Sequence, residues 1–311
     1  MDFHHISVMP AETVEGLLTR LDGTYVDCTL GGGGHARMIA DRLSADGHLI
    51  GIDQDEAAIA AASERLSGCR CHVDIVRSNF SRLSAVLEEL GVPMADGFLF
   101  DLGVSSYQID TTERGFSYMK DAPLDMRMNQ EADLSAYTVV NTYSVDDLSR
   151  IFKEYGEERW ARRIAGFVGK VRQEKPIETT GELVDIIKRA VPSAVRNARS
   201  GHPAKRIFQA IRIEVNNELG ILEDAFCAAV GHLRPGGRIA IITFHSLEDR
   251  IAKNVLRQLS RGCICPVHQP VCTCGHKPEV RLLVKGISAS EEELGHNLRA
   301  KSARLRIAQK L

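Results

Sequence analysis

Two groups of residues in this 311-residue chain have the types and spacing to do chemistry. The first is the run Gly31-Gly32-Gly33-Gly34, with Asp53 following about 20 residues later, the separation at which a strand-ending carboxylate meets the ribose hydroxyls of an adenosine cofactor held over a glycine loop. Glycines lack the Cβ that keeps backbone away from a ligand, and the free amides at the start of a following helix point towards it. A flexible turn with a helix-capping Asp is the plainer reading of the same residues. NAD and S-adenosylmethionine both use such a loop. A dinucleotide fingerprint wants a third glycine where this chain has His35 and then Arg37, so the pattern favours S-adenosylmethionine.

The second group is Cys263-Ile-Cys265 and Cys272-Thr-Cys274, with His268 and His276 nearby. Four thiolates so close in sequence suit a tetrahedral zinc site of structural type. The C-x-C bite is tighter than the usual C-x2-4-C, and a reduced, cysteine-rich surface loop is the equal alternative.

A scaffold must position these groups, and the first hundred residues alternate β-rich runs with helical patterns, as βαβ units of a parallel sheet do. Strands are expected at 24–29, 48–53, 73–76 and 97–102, with helices at 35–43, 56–66 and 81–90 between them. The next strong strand, 238–244, follows a turn read at Arg234-Pro-Gly-Gly237 and lies well over a hundred residues beyond the fourth. A crossover needs only a dozen or more residues, so the excess is an insertion. Its patterns are helical (Leu148, Ile151, Phe152, then Leu183, Ile186, Ile187), and 208–222 reads as the helix leading back to the sheet.

Composition narrows the class. Hydrophobic residues make up 44% and charged residues 26%, an ordinary globular balance, and the length suits about two domains. A formal charge of −2 excludes a uniformly basic, histone-like binder, so nucleic-acid contact must come from local charge. Such charge exists: from Arg150 to Arg212 there are 15 basic and 7 acidic residues, and Lys188, Arg189, Arg196, Arg199, Lys205, Arg206 and Arg212 form a stretch with no acid. A block like this is either a solvated face or a phosphate-tracking groove. No basic start with an apolar core opens the chain, no run is long enough to span a bilayer, and the cysteine spacing is no secreted disulfide framework, which together predict a cytoplasmic protein.

Longer motifs carry a specific resemblance. Asp101-Leu-Gly-Val-Ser-Ser-Tyr-Gln-Ile-Asp110, Arg114-Gly-Phe-Ser-Tyr118 and Pro123-Leu-Asp-Met-Arg-Met128 are similar to the ribosomal RNA small subunit methyltransferase H family. Further matches are His5-Ile-Ser-Val-Met9, His202-Pro-Ala204, Phe208-Gln-Ala-Ile-Arg212, Asn216 with Glu218, Phe244-His-Ser-Leu-Glu-Asp-Arg250 and Ser302-Ala-Arg-Leu-Arg306. The resemblance spans the chain. It implies a Rossmann-like α/β fold, the class I S-adenosylmethionine-dependent methyltransferase sheet with a small helical insertion. On that reading residues 1–107 and 203–311 form the catalytic domain and 108–202 the substrate-recognition domain. It also implies methylation of the N4 amine of a cytidine in 16S ribosomal RNA of the small (30S) subunit. The family's cofactor contacts fall on Gly33, Gly34, His35, Asp53, Phe80, Asp101 and Gln108. Asp53 would take the ribose, Phe80 would flank the adenine, and Asp101 would sit by the methionine amino group or the reacting centre. The blander readings are a core aromatic for Phe80 and a helix-start packing role for His35.

The implied reaction sets its own demands. A cytosine amine is a poor nucleophile, because its lone pair is delocalised into the ring, and it must shed a proton during or after transfer. Many amino methyltransferases end the fourth strand with Asn or Asp, two prolines and an aromatic; here the residues are Asp101-Leu-Gly-Val104. Asp101 is therefore the candidate catalytic residue, with cofactor binding alone as the alternative, and the proton's destination is open. The oligomeric state is open too, a homodimer included.

Overall fold

The computed structural model describes residues 7–193, 201–266, 269 and 271–311. Of the residues singled out above, His5, Ile6, Arg196, Arg199 and His268 lie outside that set. The chain divides into two compact units, Met1–Gly103 with Gly220–Leu311, and Val104–Leu219.

The first unit is built on seven strands: β1 Thr24–Asp27, β2 His48–Asp53, β3 His72–Arg77, β4 Ala95–Asp101, β5 Leu233–Thr243, β6 Val280–Ile287 and β7 Arg304–Lys310. They form one sheet in the order β3-β2-β1-β4-β5-β7-β6, parallel from β3 to β5 with β7 antiparallel to both its neighbours. Central strands covered on both faces need continuous apolar runs, and β4 is accordingly buried from Ala95 to Phe100. The edge strands β3 and β6 have only partial cover, and β6 alternates between half-buried and exposed positions along its length. Helices Gly34–Arg42, Glu56–Leu66 and Leu83–Glu89 follow β1, β2 and β3 as crossovers.

Two features depart from the sequence reading. Arg234-Pro-Gly-Gly237 is not a turn before the fifth strand but part of β5 itself, lying beside a register break between Ala95 and Gly97. Gly236 adopts φ +83°, and a Cβ on Gly237 would meet the Asp96 carbonyl oxygen at 2.9 Å, so glycine is what lets a strand carry this irregularity. The second is the pair β6 and β7. Here Arg306 on β7 forms a bidentate pair with Asp249 of helix Ser246–Leu259, at 2.8 and 2.9 Å. Two motifs more than fifty residues apart, Phe244–Arg250 and Ser302–Arg306, thus meet through one buried guanidinium.

The second unit is helical: Ala136–Thr142, Val145–Glu154, Ala161–Glu174, Thr180–Ala190 and Lys205–Asn216. Ser135, Ser144 and Thr179 cap three of these helices by accepting a backbone N–H, as their short hydroxyls favour. The unit extends beyond 108–202 on both sides because Lys205–Asn216 does not simply lead back to the sheet. Its residues Ile207, Phe208, Ile211 and Val215 share one core with Leu148, Ile151, Phe152, Leu183 and Ile187. Family-motif residues hold the irregular segment that precedes the helices. Arg114 is buried and donates to the carbonyls of Arg127 and Met128, while the Asn216 carboxamide bonds Met126 and Met128 backbone. Gly115 sits at φ +69°, where a Cβ would strike the Pro123 carbonyl oxygen at 2.3 Å. No helix among the described residues is long and apolar enough to cross a membrane.

Candidate active site

Three parallel strands of the first unit end in an acid: β1 in Asp27, β2 in Asp53 and β4 in Asp101. The carboxyl ends of such strands are where open α/β sheets bind ligands. Between β1 and its helix, Gly33 takes φ +75° as the cap of Gly34–Arg42 and packs so tightly that a Cβ would lie 3.3 Å from Ala62. The alanine-rich face of helix Glu56–Leu66 is thus what allows the loop to lie down. Asp53 ties the loop to β2, its carboxylate accepting from the amides of Gly31 at 2.8 Å and Asp55 at 2.9 Å. The Gln54 amide also donates to this carboxylate, and a carboxylate has about four acceptor positions, so acceptor capacity remains for a ribose hydroxyl. Phe80 opens the turn after β3 and is half-buried, edge-on to Phe100 with ring centroids 5.7 Å apart. Asn79 beside it bonds Gln54 at 2.9 Å, which brings Phe80 to the end of β2 next to Asp53.

At the β4 end the arrangement is more specific. His35 is buried, with Nε2 donating to the Val8 carbonyl at 2.9 Å and Nδ1 facing Asp101 Oδ2 at 3.4 Å. Burial works against charge on this ring, but the Asp101 carboxylate, reinforced by Asp27, outweighs it and raises the histidine pKa. The Asp101 amide donates to Thr29 Oγ1 at 2.6 Å. The other carboxylate oxygen, Asp101 Oδ1, is buried and has no hydrogen-bond partner among the described residues. A buried acceptor left unmade costs free energy, so this atom is a candidate to take a donor from a bound molecule. The donor set therefore fits S-adenosylmethionine, whose sulfonium and ammonium are cationic. The glycine loop carries no side chains, the Asp53 carboxylate ends the neighbouring strand, and Asp101 faces His35 with Asp27 acting on the same ring.

Of the residues expected in the site, Gly33, Gly34, His35, Asp53, Phe80 and Asp101 all lie in the first unit around these strand ends. Gln108 belongs to the second unit, where it closes a capping box with Ser105: its side-chain oxygen accepts from the Ser105 amide at 3.0 Å. The sequence reading missed Asp27, and with it Thr29 and the Val8 carbonyl. The signal for Asp27 was available, since it is a strand-ending acid just before the glycine loop, as Asp53 and Asp101 end their own strands.

Asp27 is almost wholly buried, and burial holds its carboxyl up at about 7, with Asp101 and Asp53 adding to the shift while His35 and the Thr29 amide oppose it. Burial likewise pushes Asp53 to about 6, against the amides of Asp55 and Gly31. Both values lie above the ordinary carboxylate range, so between about pH 4 and 7 these two sites hold more protons in the folded protein than in the unfolded chain. The stability these groups contribute is present below pH 4 and is lost as pH rises through 6 to 7. Asp27→Asn removes the larger part of that loss. In thermal melts of the cofactor-free protein the variant should match the parent near pH 4 and exceed it at pH 8 by a few kcal/mol, at about 1.4 kcal/mol per pKa unit. Equal melting at pH 8 would show that Asp27 ionises there without strain.

A parallel sheet with this strand order, an antiparallel β7, a glycine loop after β1 and an acid closing β2 define a class I S-adenosylmethionine-dependent methyltransferase. The chain belongs to the MraW methylase family, whose model matches residues 2–311. It is 54% identical over 312 residues to the ribosomal RNA small subunit methyltransferase H of Clostridioides difficile (strain 630), with all of both chains covered. The protein of that name from Clostridium botulinum (strain Loch Maree / Type A3) is equally similar, at 54% with both chains fully covered. The one from Heliobacterium modesticaldum (strain ATCC 51547 / Ice1) is 52% identical over 313 residues, again with full coverage of both.

Proposed function

We propose that this protein transfers the methyl group of S-adenosylmethionine to the exocyclic N4 amine of a cytidine in 16S ribosomal RNA of the small (30S) subunit, in the cytoplasm. Small-subunit ribosomal RNA methylation is the activity that the relatives' names print. The observation that supports an amine acceptor is Asp101 Oδ1, buried, without a partner among the described residues and backed by His35.

When bound, S-adenosylmethionine supplies an electrophilic methyl on sulfur. Asp101 Oδ1 would accept one N–H of the amine, which aims the nitrogen and raises its electron density. His35, anchored to Val8, fixes the carboxylate's rotation through Oδ2. In the transfer that this group would support, the proton that the amine must shed as it gains the methyl would pass to Asp101 Oδ1. Holding amine and methyl in line supplies much of the rate, since the displacement needs donor and acceptor collinear. Asp53 and Phe80 hold the nucleoside end of the cofactor.

The second unit is the proposed substrate-recognition part, with residues 108–202 at its centre. Its helix Ala161–Glu174 exposes Arg162, Arg163 and Lys170, and Arg189, Lys205 and Arg206 are exposed as well. Arg212 drops out of this phosphate-binding set, because it is half-buried and paired bidentately with Glu218 at 2.7 and 2.8 Å. Capturing a cytidine from folded RNA also requires unstacking it.

The test is to incubate the protein with radiolabelled S-adenosylmethionine and small subunits from a strain lacking this gene. Nuclease digestion and mass spectrometry then locate the label. Label on cytidine N4 at one site is expected. Label on another atom or base overturns the amine reading, and no label on particles or free ribosomal RNA despite cofactor binding overturns the substrate.

A further inference from the structure

The loop joining helix Ser246–Leu259 to β6 presents a site that methyl transfer does not use. Its base is pinned: the Glu279 amide donates to the Leu259 carbonyl at 2.8 Å, and the Leu311 amide to the Glu279 carbonyl at 2.9 Å. Between these points the described residues form no helix or strand, and none of them from Arg261 to Glu279 is buried. Ile264 and Val271 stand 57% and 70% exposed, so no apolar core orders this stretch. Loops of this length without structure of their own are uncommon in a folded domain unless something else holds them.

What converges instead is sulfur. Cys263 and Cys272 lie 3.5 Å apart, Cys272 and Cys274 3.5 Å, Cys274 and Cys263 3.8 Å, and Cys265 and Cys272 4.0 Å. All four Sγ atoms fall within 4.8 Å of one another. A zinc ion with Zn–S bonds of about 2.3 Å at the centre of a tetrahedron sets sulfur–sulfur edges of about 3.8 Å, the middle of the observed range. Disulfides need sulfurs about 2.05 Å apart, and all four thiols are free. Backbone amides point at the sulfurs as they do at thiolate ligands. Ile264 and His276 donate to Cys274, Thr273 and Cys274 to Cys265, and Cys265 to Cys263. The short C-x-C bite, which weighed against metal in the sequence, closes here without difficulty, as the 3.5 Å separation of Cys272 and Cys274 shows.

We propose that Cys263, Cys265, Cys272 and Cys274 bind one zinc ion as a tetrathiolate that cross-links the loop between helix Ser246–Leu259 and β6. Four protein sulfurs fill the coordination shell and leave no position for water, so the ion is structural. Binding releases the four thiol protons and leaves a site of net charge −2. Soft thiolates select zinc over the hard cations magnesium and calcium. The inference is independent of the methyl-transfer reading and is tested without an activity assay.

Metal analysis of the purified full chain is expected to find one zinc per protein. Cys272→Ser and the double variant Cys263→Ser/Cys274→Ser should lose it, and Cys227→Ser, whose thiol lies outside the loop, should keep it. Cobalt added to the metal-stripped parent should give thiolate charge-transfer absorption with the intense visible bands of a tetrahedral site, a readout that needs no variant to fold. Proteolysis within 261–278 should quicken at least tenfold on zinc removal. Substoichiometric zinc with four freely alkylated thiols, iron in its place, or disulfides among these cysteines would each overturn the proposal.

Discussion

Asp101→Asn is expected to reduce the single-turnover methylation rate about a thousandfold while cofactor affinity changes by no more than a few-fold. The substitution keeps the size and one acceptor oxygen but removes the base, and a positioned general base contributes on the order of 10² to 10⁴ in rate. The environment makes the effect large. Asp101 Oδ2 faces His35, and Oδ1 is buried with no partner among the described residues. Rapid-quench kinetics at saturating cofactor, set beside calorimetric titration with S-adenosylmethionine, separate the two roles open to this residue. A loss confined to cofactor affinity would make Asp101 a binding residue only. His35→Asn offers a second view: it should lower the rate less, because the ring fixes the rotation of the carboxylate rather than touching the amine.

Asp53→Ala should act on binding instead. A charge-assisted hydrogen bond to a ribose hydroxyl is worth roughly 1.5–3 kcal/mol, so the affinity for S-adenosylmethionine is expected to fall at least about tenfold. The rate at saturating cofactor should fall far less, since the proposed chemistry is at Asp101 and not at Asp53. The same carboxylate accepts from the Gly31 and Asp55 amides, so the variant also loosens the glycine loop. Asp53→Asn, which retains one acceptor oxygen, should recover part of the affinity. Calorimetry with circular dichroism to check the fold decides the matter, and parent-like affinity in Asp53→Ala would remove Asp53 from the cofactor site.

Much of this was legible in the sequence because it depends on local rules. The run 97–100 is free of polar side chains, as a central strand covered on both faces favours, and Gly33 and Gly34 fall where strand gives way to helix. Asp53 could be placed by spacing, since a strand and a helix have fixed lengths. The basic stretch around Lys188 to Arg212 was visible as a count of charges. Its meaning was not: Arg212 neutralises Glu218, whereas Arg206 and Lys205 are exposed, and pairing depends on which residues a fold brings face to face.

The packing of helix Lys205–Asn216 and the length of β5 were not legible in the sequence for a related reason. Ile207, Phe208 and Ile211 have a helical period that fits packing against the sheet or within the insertion equally well, and only the shared core with Ile151 and Leu183 chooses between them. Arg234-Pro-Gly-Gly237 has turn chemistry, but pairing with β4 makes it strand. The residue types, their order along the chain and hence the cofactor loop, the terminal acids and the four clustered thiols were determined by sequence alone. Tertiary structure decided that His35 faces Asp101, that one oxygen of that acid has no partner among the described residues, that Asp27 is sealed from water, and that the four sulfurs sit at tetrahedral distances. Each of these is a relation across space between segments whose separation in sequence carries no distance, and burial, charge and coordination depend on distance.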